Sequence, residues 1–357
     1  MSVYSFNHSH VEVYEDRLRD NAEFLHRNIK PEVKSMAVIK ANAYGHGAEA
    51  AARALDEYYA MFAVANVSEA VSLRLSGIKK PVLVFGVPCP EVARAYAEYG
   101  LTAVVSAPEH FTLLEKGTPY HLKVDTGMGR LGFSCHELEY VQNEIKKYSW
   151  LNCEGIMTHF ATADEADSAL LKKQKSRLDD IVSVFGGKYP IHAANSAASL
   201  YHPECHHQYV RHGIALYGYD PVTSMPDALK PVMVWKSRVA QSKRIQKGDT
   251  VSYRAAWSAP EDGYISVIPV GYADGYRRNL SGKMSIEVEG TWYPQVGMVT
   301  MDYIMIWTGS KQISAGVQAT IMGGEKNHAG HWAAALETIP YEICCGIAEK
   351  VPRIWKC

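Results

Sequence analysis

The feature that most restricts how this chain can fold is an alternation running through its first two-thirds. Short β-rich runs lie at Met36–Lys40, Met61–Ala65, Pro81–Val87, Thr102–Ser106, His121–Asp125, Gly155–His159, Ile191–Ala194 and Tyr209–Arg211. Between them the sequence reads as helix at Ala48–Tyr58, Ser68–Leu75, Glu91–Tyr99, Pro108–Leu114, Cys135–Lys147 and Ala166–Phe185, with a short helix from Ser196. Pro90 and Pro108 suit helix starts, where the first N–H has no intrahelical partner. Gly77 and Gly100 stand where helices should stop. Strands alternating with helices build parallel sheets, and eight such units fit a closed (β/α)8 barrel. An open doubly wound sheet uses the same alternation; eight units rather than five or six favour the barrel.

After about Pro231 the texture changes. Val232–Val239, Gly263–Val270, Met284–Val288 and Tyr303–Trp307 read as strands with turns between them, and one Ala-rich helix is expected at Ala329–Thr338. The expected architecture is an N-terminal TIM-like (β/α)8 barrel over residues 1–230 and a mostly β domain over 231–357. Thirty-seven Lys and Arg against 38 Asp and Glu leave a formal charge of −1, which speaks against a nucleic-acid partner. Apolar runs such as Val82–Cys89 fall well short of the roughly 20 residues of a membrane span. Met1–Asp16 carries charges and no apolar centre, so no leader is expected. Seven scattered cysteines without a CxxC pair read as reduced thiols of a cytoplasmic protein.

In a barrel, chemistry sits where strands end. Lys40 closes the first apolar strand. Desolvated at a barrel mouth it would be a nucleophile toward carbonyls; otherwise it is a solvated strand-end lysine. Gly127, Gly129 and Gly132 satisfy the GxGxxG dinucleotide pattern. The same glycines would equally let the loop turn so that Arg130 clamps a carboxylate. His159 ends the sixth strand, Arg211 the eighth, and Asn195-Ser196 opens the helix after the seventh. The last two loops offer N–H groups, a hydroxyl and a helix start, a cradle suited to phosphate. His202, Cys205, His206 and His207 invite a metal reading, but no second cluster completes a zinc site, so no metal is expected. There is no GxSxG elbow of a serine hydrolase.

At these residues the sequence resembles the alanine racemase family of fold-type III pyridoxal-phosphate enzymes. The matching segments are Ala37-Val-Ile-Lys-Ala-Asn-Ala-Tyr-Gly-His-Gly, Asp125-Thr-Gly-Met-Gly-Arg-Leu-Gly, Thr158-His-Phe-Ala-Thr-Ala-Asp, Asn195-Ser-Ala-Ala-Ser and Arg211-His-Gly-Ile-Ala-Leu-Tyr-Gly. Val251-Ser-Tyr, Gly271-Tyr-Ala-Asp-Gly-Tyr, Met301-Asp and Val351-Pro-Arg continue the match in family order. The resemblance implies that Lys40 holds pyridoxal 5'-phosphate as a Schiff base and is one of two catalytic bases, the other being Tyr253. It implies a homodimer in which the partner subunit supplies that tyrosine. Arg130 and the backbone of Met301 would hold the substrate carboxylate. Tyr44, Asn195, Ser196, Gly213 and Ile214 would hold the cofactor, chiefly its phosphate. Arg211 would face the pyridine nitrogen, with His159 between it and Tyr253, and Lys123 matches a lysine carbamylated in some members. The product would be a D-amino acid of the kind that serves as a peptidoglycan precursor.

The chemistry is coherent with these roles. Racemisation removes a proton from one face of Cα and delivers one to the other, so it needs two bases. An arginine does not surrender its proton, so the ring nitrogen it faces stays unprotonated. A tyrosine with an ordinary pKa near 10 is a poor base at neutral pH, and a cationic Arg211–His159 chain would lower it.

Three positions depart from the family pattern. Glu349 stands where the family has a tyrosine at the inner end of the substrate channel, Met298 where it has an arginine, and Arg254 where glycine is common. Tyr272 and Arg278 keep two other channel positions. Alanine is the expected substrate, serine or a broader range of amino acids the alternative, and an acidic Glu349 would favour a basic amino acid. A fold-type III decarboxylase is the more distant alternative, and retained Tyr253, Arg211 and Arg130 speak against it. A lone-barrel cofactor carrier would lack the β domain, and a dehydrogenase would need nicotinamide.

Overall fold

The computed structural model describes residues 8–185, 187–223, 228–324 and 326–357. They form two units, Leu18–Leu229 and a second made of the chain through Arg17 together with Lys230–Cys357.

In the first unit, eight parallel strands run in chain order at Lys34–Val38, Met61–Val64, Val82–Val84, Ala103–Val105, Pro119–Asp125, Asn152–Met157, Ile191–His192 and Tyr209–His212. The last returns to the first, with Tyr209 opposite Lys34. The third and fourth meet at Leu83 and Thr102, where Thr102 N–H donates to the Val82 carbonyl over 2.9 Å. The sheet is therefore a barrel, and every expected strand is present. Its strands read as continuous apolar runs because both faces are covered, one by barrel interior and one by helices. Met36, Phe62, Leu83, Val104, Leu122 and Ile156 are all buried. Helices follow at Ala48–Leu55, Val67–Leu75, Ala93–Glu98, Pro108–Leu113, Leu138–Lys147, Ala169–Phe185 and Ser196–Tyr201. A further helix, Glu15–Arg27, precedes the first barrel strand.

The second unit is built on a nine-stranded sheet. Its order is Gln241–Ile245, Gly263–Ile268, Ile304–Gly309, Thr291–Val296, Ser285–Val288, Gln318–Met322, Met233–Arg238, His10–Tyr14 and Arg353–Lys356. Two helices, Ala329–Leu336 and Pro340–Cys345, stand where one was expected. Trp332 packs its ring 6.1 Å from Trp235 and 4.8 Å from Tyr276 in the core.

The N-terminal strand corrects the expected boundary at residues 1–230. His10–Tyr14 pairs antiparallel with Met233–Lys236 and parallel with Arg353–Lys356, so it belongs to the β unit. Glu12 explains the attachment. Burial alone would push its carboxyl up, but hydrogen bonds from Lys236 (2.7 Å) and Tyr14 (2.8 Å), with Lys356 nearby, hold it down at about 2. One carboxylate thus ties three strands together. The Met1–Asp16 stretch read as carrying no leader lies partly outside the described residues. Among the described residues no helix is long and apolar enough to cross a membrane.

Candidate active site

The barrel mouth gathers the residues expected at strand ends. Ile39 is still held to the second strand by its N–H on the Ala63 carbonyl, 2.9 Å away, and Lys40 follows at the rim. The chain then does something unusual for L-residues. Ala41, Asn42, Ala43 and Tyr44 have φ of 52 to 54° and ψ of 40 to 51°, one turn of left-handed helix. Each such residue costs roughly 1–2 kcal/mol because Cβ crowds the following carbonyl, so the surroundings must impose it. Ala43 N–H reaches Ile39 O at 2.9 Å, and the Asn42 side chain accepts Ala48 N–H at 2.8 Å. The turn delivers the Tyr44 hydroxyl beside Gly213 and Ser196. A Cβ on Gly213 would lie 2.9 Å from Tyr44 Oη and 3.6 Å from Ser196 Oγ, so a side chain there would fill this cradle. Gly213 N–H donates to Ser196 Oγ over 2.8 Å, and Ile214 is buried next to it. Asn195 is occupied as a helix cap, accepting Ala198 N–H at 3.0 Å.

Arg211 is buried without a carboxylate partner among the described residues. Its Nη1 donates to His192 Nδ1 (2.8 Å) and His192 O (3.0 Å), and its Nη2 to Thr158 O, Ala193 O and His159 Nδ1 at 2.9, 2.8 and 3.2 Å. Both Nη groups are consumed in holding the guanidinium. Burial lowers its pKa to about 10, which still leaves it charged at neutral pH. That charge dictates tautomers. His192, accepting at Nδ1, carries its proton on Nε2 and donates it to His121 Nδ1, 2.8 Å away. His159, accepting at Nδ1, likewise presents an Nε2–H. Burial first, and then the Arg211 charge, hold all three imidazoles neutral, with His121 down at about 4.

The glycine loop settles one open reading. Gly127 N–H and Gly129 N–H both donate to the carboxylate of Asp125, at 2.8 and 2.9 Å. A Cβ on Gly132 would lie 2.6 Å from Asp125 N, because Phe133–Ser134 pairs in parallel with Val124–Asp125. The amides that a dinucleotide phosphate would need are turned inward onto a carboxylate, which rejects the nicotinamide alternative on physical grounds. Arg130 is left exposed at the loop tip. Lys123 is buried just below; desolvation, then the charges of Arg130 and Arg211, lower its pKa to about 8, while Asp125 opposes them. Lys40 adds a further positive charge to the same neighbourhood. Cations outnumber carboxylates here, so the mouth is built to receive anionic groups. A phosphate in the Tyr44–Ser196–Gly213 cradle and a carboxylate at Arg130 are chemically apt, and the set fits pyridoxal phosphate.

The β unit holds the other expected residues. Tyr253 sits at the tip of a two-stranded ribbon, Thr250–Val251 against Trp257–Ser258, and its side chain is 65% exposed. Ser252 Oγ donates to Met298 O over 2.7 Å, which ties the ribbon to the loop containing Gly297. Arg254 has φ of 64°, the left-handed region where glycine is at ease. That is the physical sense of the glycine common at this position. Tyr272 N–H donates to Thr300 O and Ala273 N–H to Met301 O, each at 3.0 Å. These bonds bring Tyr272, Met301 and Tyr303 into one exposed group. Arg278 and Glu349 are exposed as well. Glu349 does not stand alone: its charge favours the cationic form of nearby Arg353, whose guanidinium is held by the carbonyls of Ile347, Ala348 and Val351.

Several residues in these arrangements carried no signal in the sequence. His121 and His192 lie on barrel strands and read as core. Gln174, fully buried on the helix Ala169–Phe185, donates to His159 O at 2.9 Å and accepts Ala161 N–H at 2.9 Å. It thereby fixes the backbone of the sixth strand's end. His202 and His206, the core of the metal reading, bond instead to the carbonyls of Ala163 and Ser199.

Comparison with known proteins agrees with this geometry. Sequence models of the alanine racemase N-terminal and C-terminal domains match residues 13–221 and 232–355. An alanine racemase of Carboxydothermus hydrogenoformans is 39% identical, the match covering 97% of this chain and 98% of that one. Among solved structures, alanine racemase from E. faecalis superposes with a TM-score of 0.93 at 32% identity, over all of both chains. The Bacillus anthracis enzyme with bound L-Ala-P gives 0.91 at 33% identity, covering 99% of this chain and 96% of that one. The barrel, the β unit and these relatives therefore converge on one conclusion: the chain belongs to the alanine racemase family and is an amino-acid racemase, an isomerase.

Proposed function

We propose that the protein interconverts L- and D-alanine using pyridoxal 5'-phosphate held at the barrel mouth. The observation that carries this reading is the buried Arg211, whose Nη hydrogens are spent on His192, His159 and three carbonyls. Lys40 and the Tyr44–Ser196–Gly213 cradle lie at the same end of the barrel. Tyr44, Ser196, Gly213 and Ile214 would hold the phosphate, with Asn195 shaping the loop. When bound, the cofactor supplies an electron sink that acidifies the Cα–H of an amino acid.

The chain's own groups do the rest. Arg130 orients the substrate by its carboxylate, aided by the Met301 backbone. Lys40 Nζ takes or returns the Cα proton on one face and Tyr253 Oη does so on the other, a two-base mechanism. His159, neutral with its proton on Nε2, donates to the Tyr253 oxygen and stabilises the phenolate. Arg211, whose Nη groups are taken up within the fold, would have its Nε–H for the cofactor's ring nitrogen and would not give up that proton, which would favour racemisation over side reactions. Tyr253, Tyr272, Met301 and Tyr303 of the β unit are all exposed. This supports a homodimer in which each β unit completes the partner subunit's site. Lys123, with its pKa near 8, is nucleophilic enough to take up CO2 as a carbamate that would balance Arg130. The enzyme acts in the cytoplasm, in keeping with its free thiols.

The test is chiral chromatography after incubating the cofactor-loaded protein with L-alanine and, separately, D-alanine. Each is expected to approach an equal mixture, with L-serine and L-lysine at least tenfold slower. Release of CO2 without the opposite enantiomer would overturn the reading.

A further inference from the structure

We propose that Glu69 is a positioning residue for Lys40, acting through the backbone amide that follows it. The inference rests on the racemase reading above. Glu69 lies in the first turn of the helix Val67–Leu75, which follows the second barrel strand. That helix is already capped: Asn66 Oδ1 accepts Glu69 N–H at 2.9 Å and the Ser68 hydroxyl at 2.7 Å. A glutamate at this position ordinarily turns back to the N–H of the capping residue. Here it reaches elsewhere. Oε1 accepts the N–H of Ala41 at 2.8 Å, and Oε2 accepts the N–H of Ala65 at 2.7 Å.

Those two amides are the ones a barrel rim leaves over. Ala65 comes directly after the second strand, and Ala41 comes directly after Lys40 beyond the first. One planar carboxylate therefore joins the ends of two neighbouring strands by charge-assisted bonds, the strong class of hydrogen bond. It does so at the first residue of the left-handed turn, where the backbone must leave the ordinary L-residue region. The other restraints on the turn act further along, at Asn42 and Ala43. Glu69 grips it at Ala41, the residue directly after the lysine. Without that grip the turn relaxes toward ordinary dihedrals, and the Cα from which the Lys40 stem springs moves with it. The helix has no need of the carboxylate, since Asn66 caps it. The bonded partners are those that fix the reactive lysine, so the role is positioning of Lys40.

Two variants test this, Glu69→Ala and Glu69→Gln, the amide keeping one acceptor oxygen. The first readout is hydrogen–deuterium exchange of the cofactor-free protein. In Glu69→Ala the Ala41 and Ala65 amides should exchange at least tenfold faster, with barrel-strand amides unchanged. The second is cofactor capture, followed by visible absorbance and by borohydride fixation of pyridoxyl on Lys40. It should slow at least tenfold in Glu69→Ala and recover in part in Glu69→Gln. In the loaded enzyme kcat should fall more than KM rises. Unchanged exchange at both amides overturns the clamp. Faster exchange with capture and kcat within twofold of the parent overturns positioning and leaves a structural tie. If Glu69→Ala does not fold, the same criteria apply to Glu69→Gln. Failure of the racemase reading looks different: the unaltered protein would capture cofactor on Lys40 and yet produce no D-alanine.

Discussion

The barrel mouth and the exposed rim of the β unit contribute to the same proposed chemistry by opposite constructions. At the mouth, Arg211, His121 and His192 are buried, and each polar group is held by another. On the rim, Tyr253, Tyr272 and Met301 stand largely in the open, on tight loops held by backbone hydrogen bonds and by the Ser252 hydroxyl on Met298 O. The first arrangement is preorganised by the fold itself. The second would be covered only in the proposed homodimer. Removing a residue should accordingly damage stability and activity together at the mouth, and activity alone on the rim.

The largest expected effect, and the cleanest way to break that contrast, is Tyr253→Phe. An exposed hydroxyl contributes little to stability, so the unfolding midpoint should stay within the about 0.5 kcal/mol typical of surface changes. Racemisation should fall by about 10²- to 10⁴-fold, the usual worth of a positioned acid or base. Cofactor absorbance should survive. Undiminished racemisation in both directions would remove Tyr253 from catalysis. Next comes Arg211→Met, which leaves buried His192, His159 and several carbonyls without their donor. At about 1–3 kcal/mol for each group left unsatisfied, denaturant unfolding should show a loss of at least about 3 kcal/mol, together with weakened cofactor binding. A loss confined to activity would erase the distinction between the two regions.

The smallest effect sharpens the electrostatic side. Lys123 has a folded pKa near 8 against the ordinary lysine value of 10.5, lowered by desolvation and by Arg130 and Arg211. The folded state therefore binds fewer protons than the unfolded one between these values. Stability should rise as pH climbs from about 8 toward 10.5, by on the order of 1 kcal/mol once screening is allowed for. In bicarbonate-free buffer, Lys123→Met should flatten that rise in thermal-melt profiles. A profile identical to the parent's would mean that the cationic crowding is relieved some other way.

Much of the barrel was legible because each strand–helix unit is written locally in apolar periodicity and punctuation, as with Pro108 opening its helix. The residues on the strand ends were legible through the resemblance. What escaped was carried by distance. His10–Tyr14 reads as an ordinary charged segment until it pairs with residues more than 200 positions away. Gln241–Ile245 was missed because it is a polar strand at the edge of its sheet, half in water. Asn66 followed three residues later by Glu69 looks like a capping box, and nothing local says that the carboxylate serves Ala41 instead. Ala41–Tyr44 gave no warning either, because alanine, asparagine and tyrosine carry no mark of reversed handedness. Tertiary contacts impose it.

That last turn has a consequence of symmetry. For four residues an all-L chain follows the mirror image of its usual path, and a D-residue would follow that path without steric penalty. Ala41 and Ala43 are thus sites where the polypeptide's own chirality opposes its native geometry, and D-alanine installed there by chemical ligation would relieve strain that L-alanine imposes. A protein that inverts the configuration of amino acids is, beside its reactive lysine, written in the wrong hand for its own backbone.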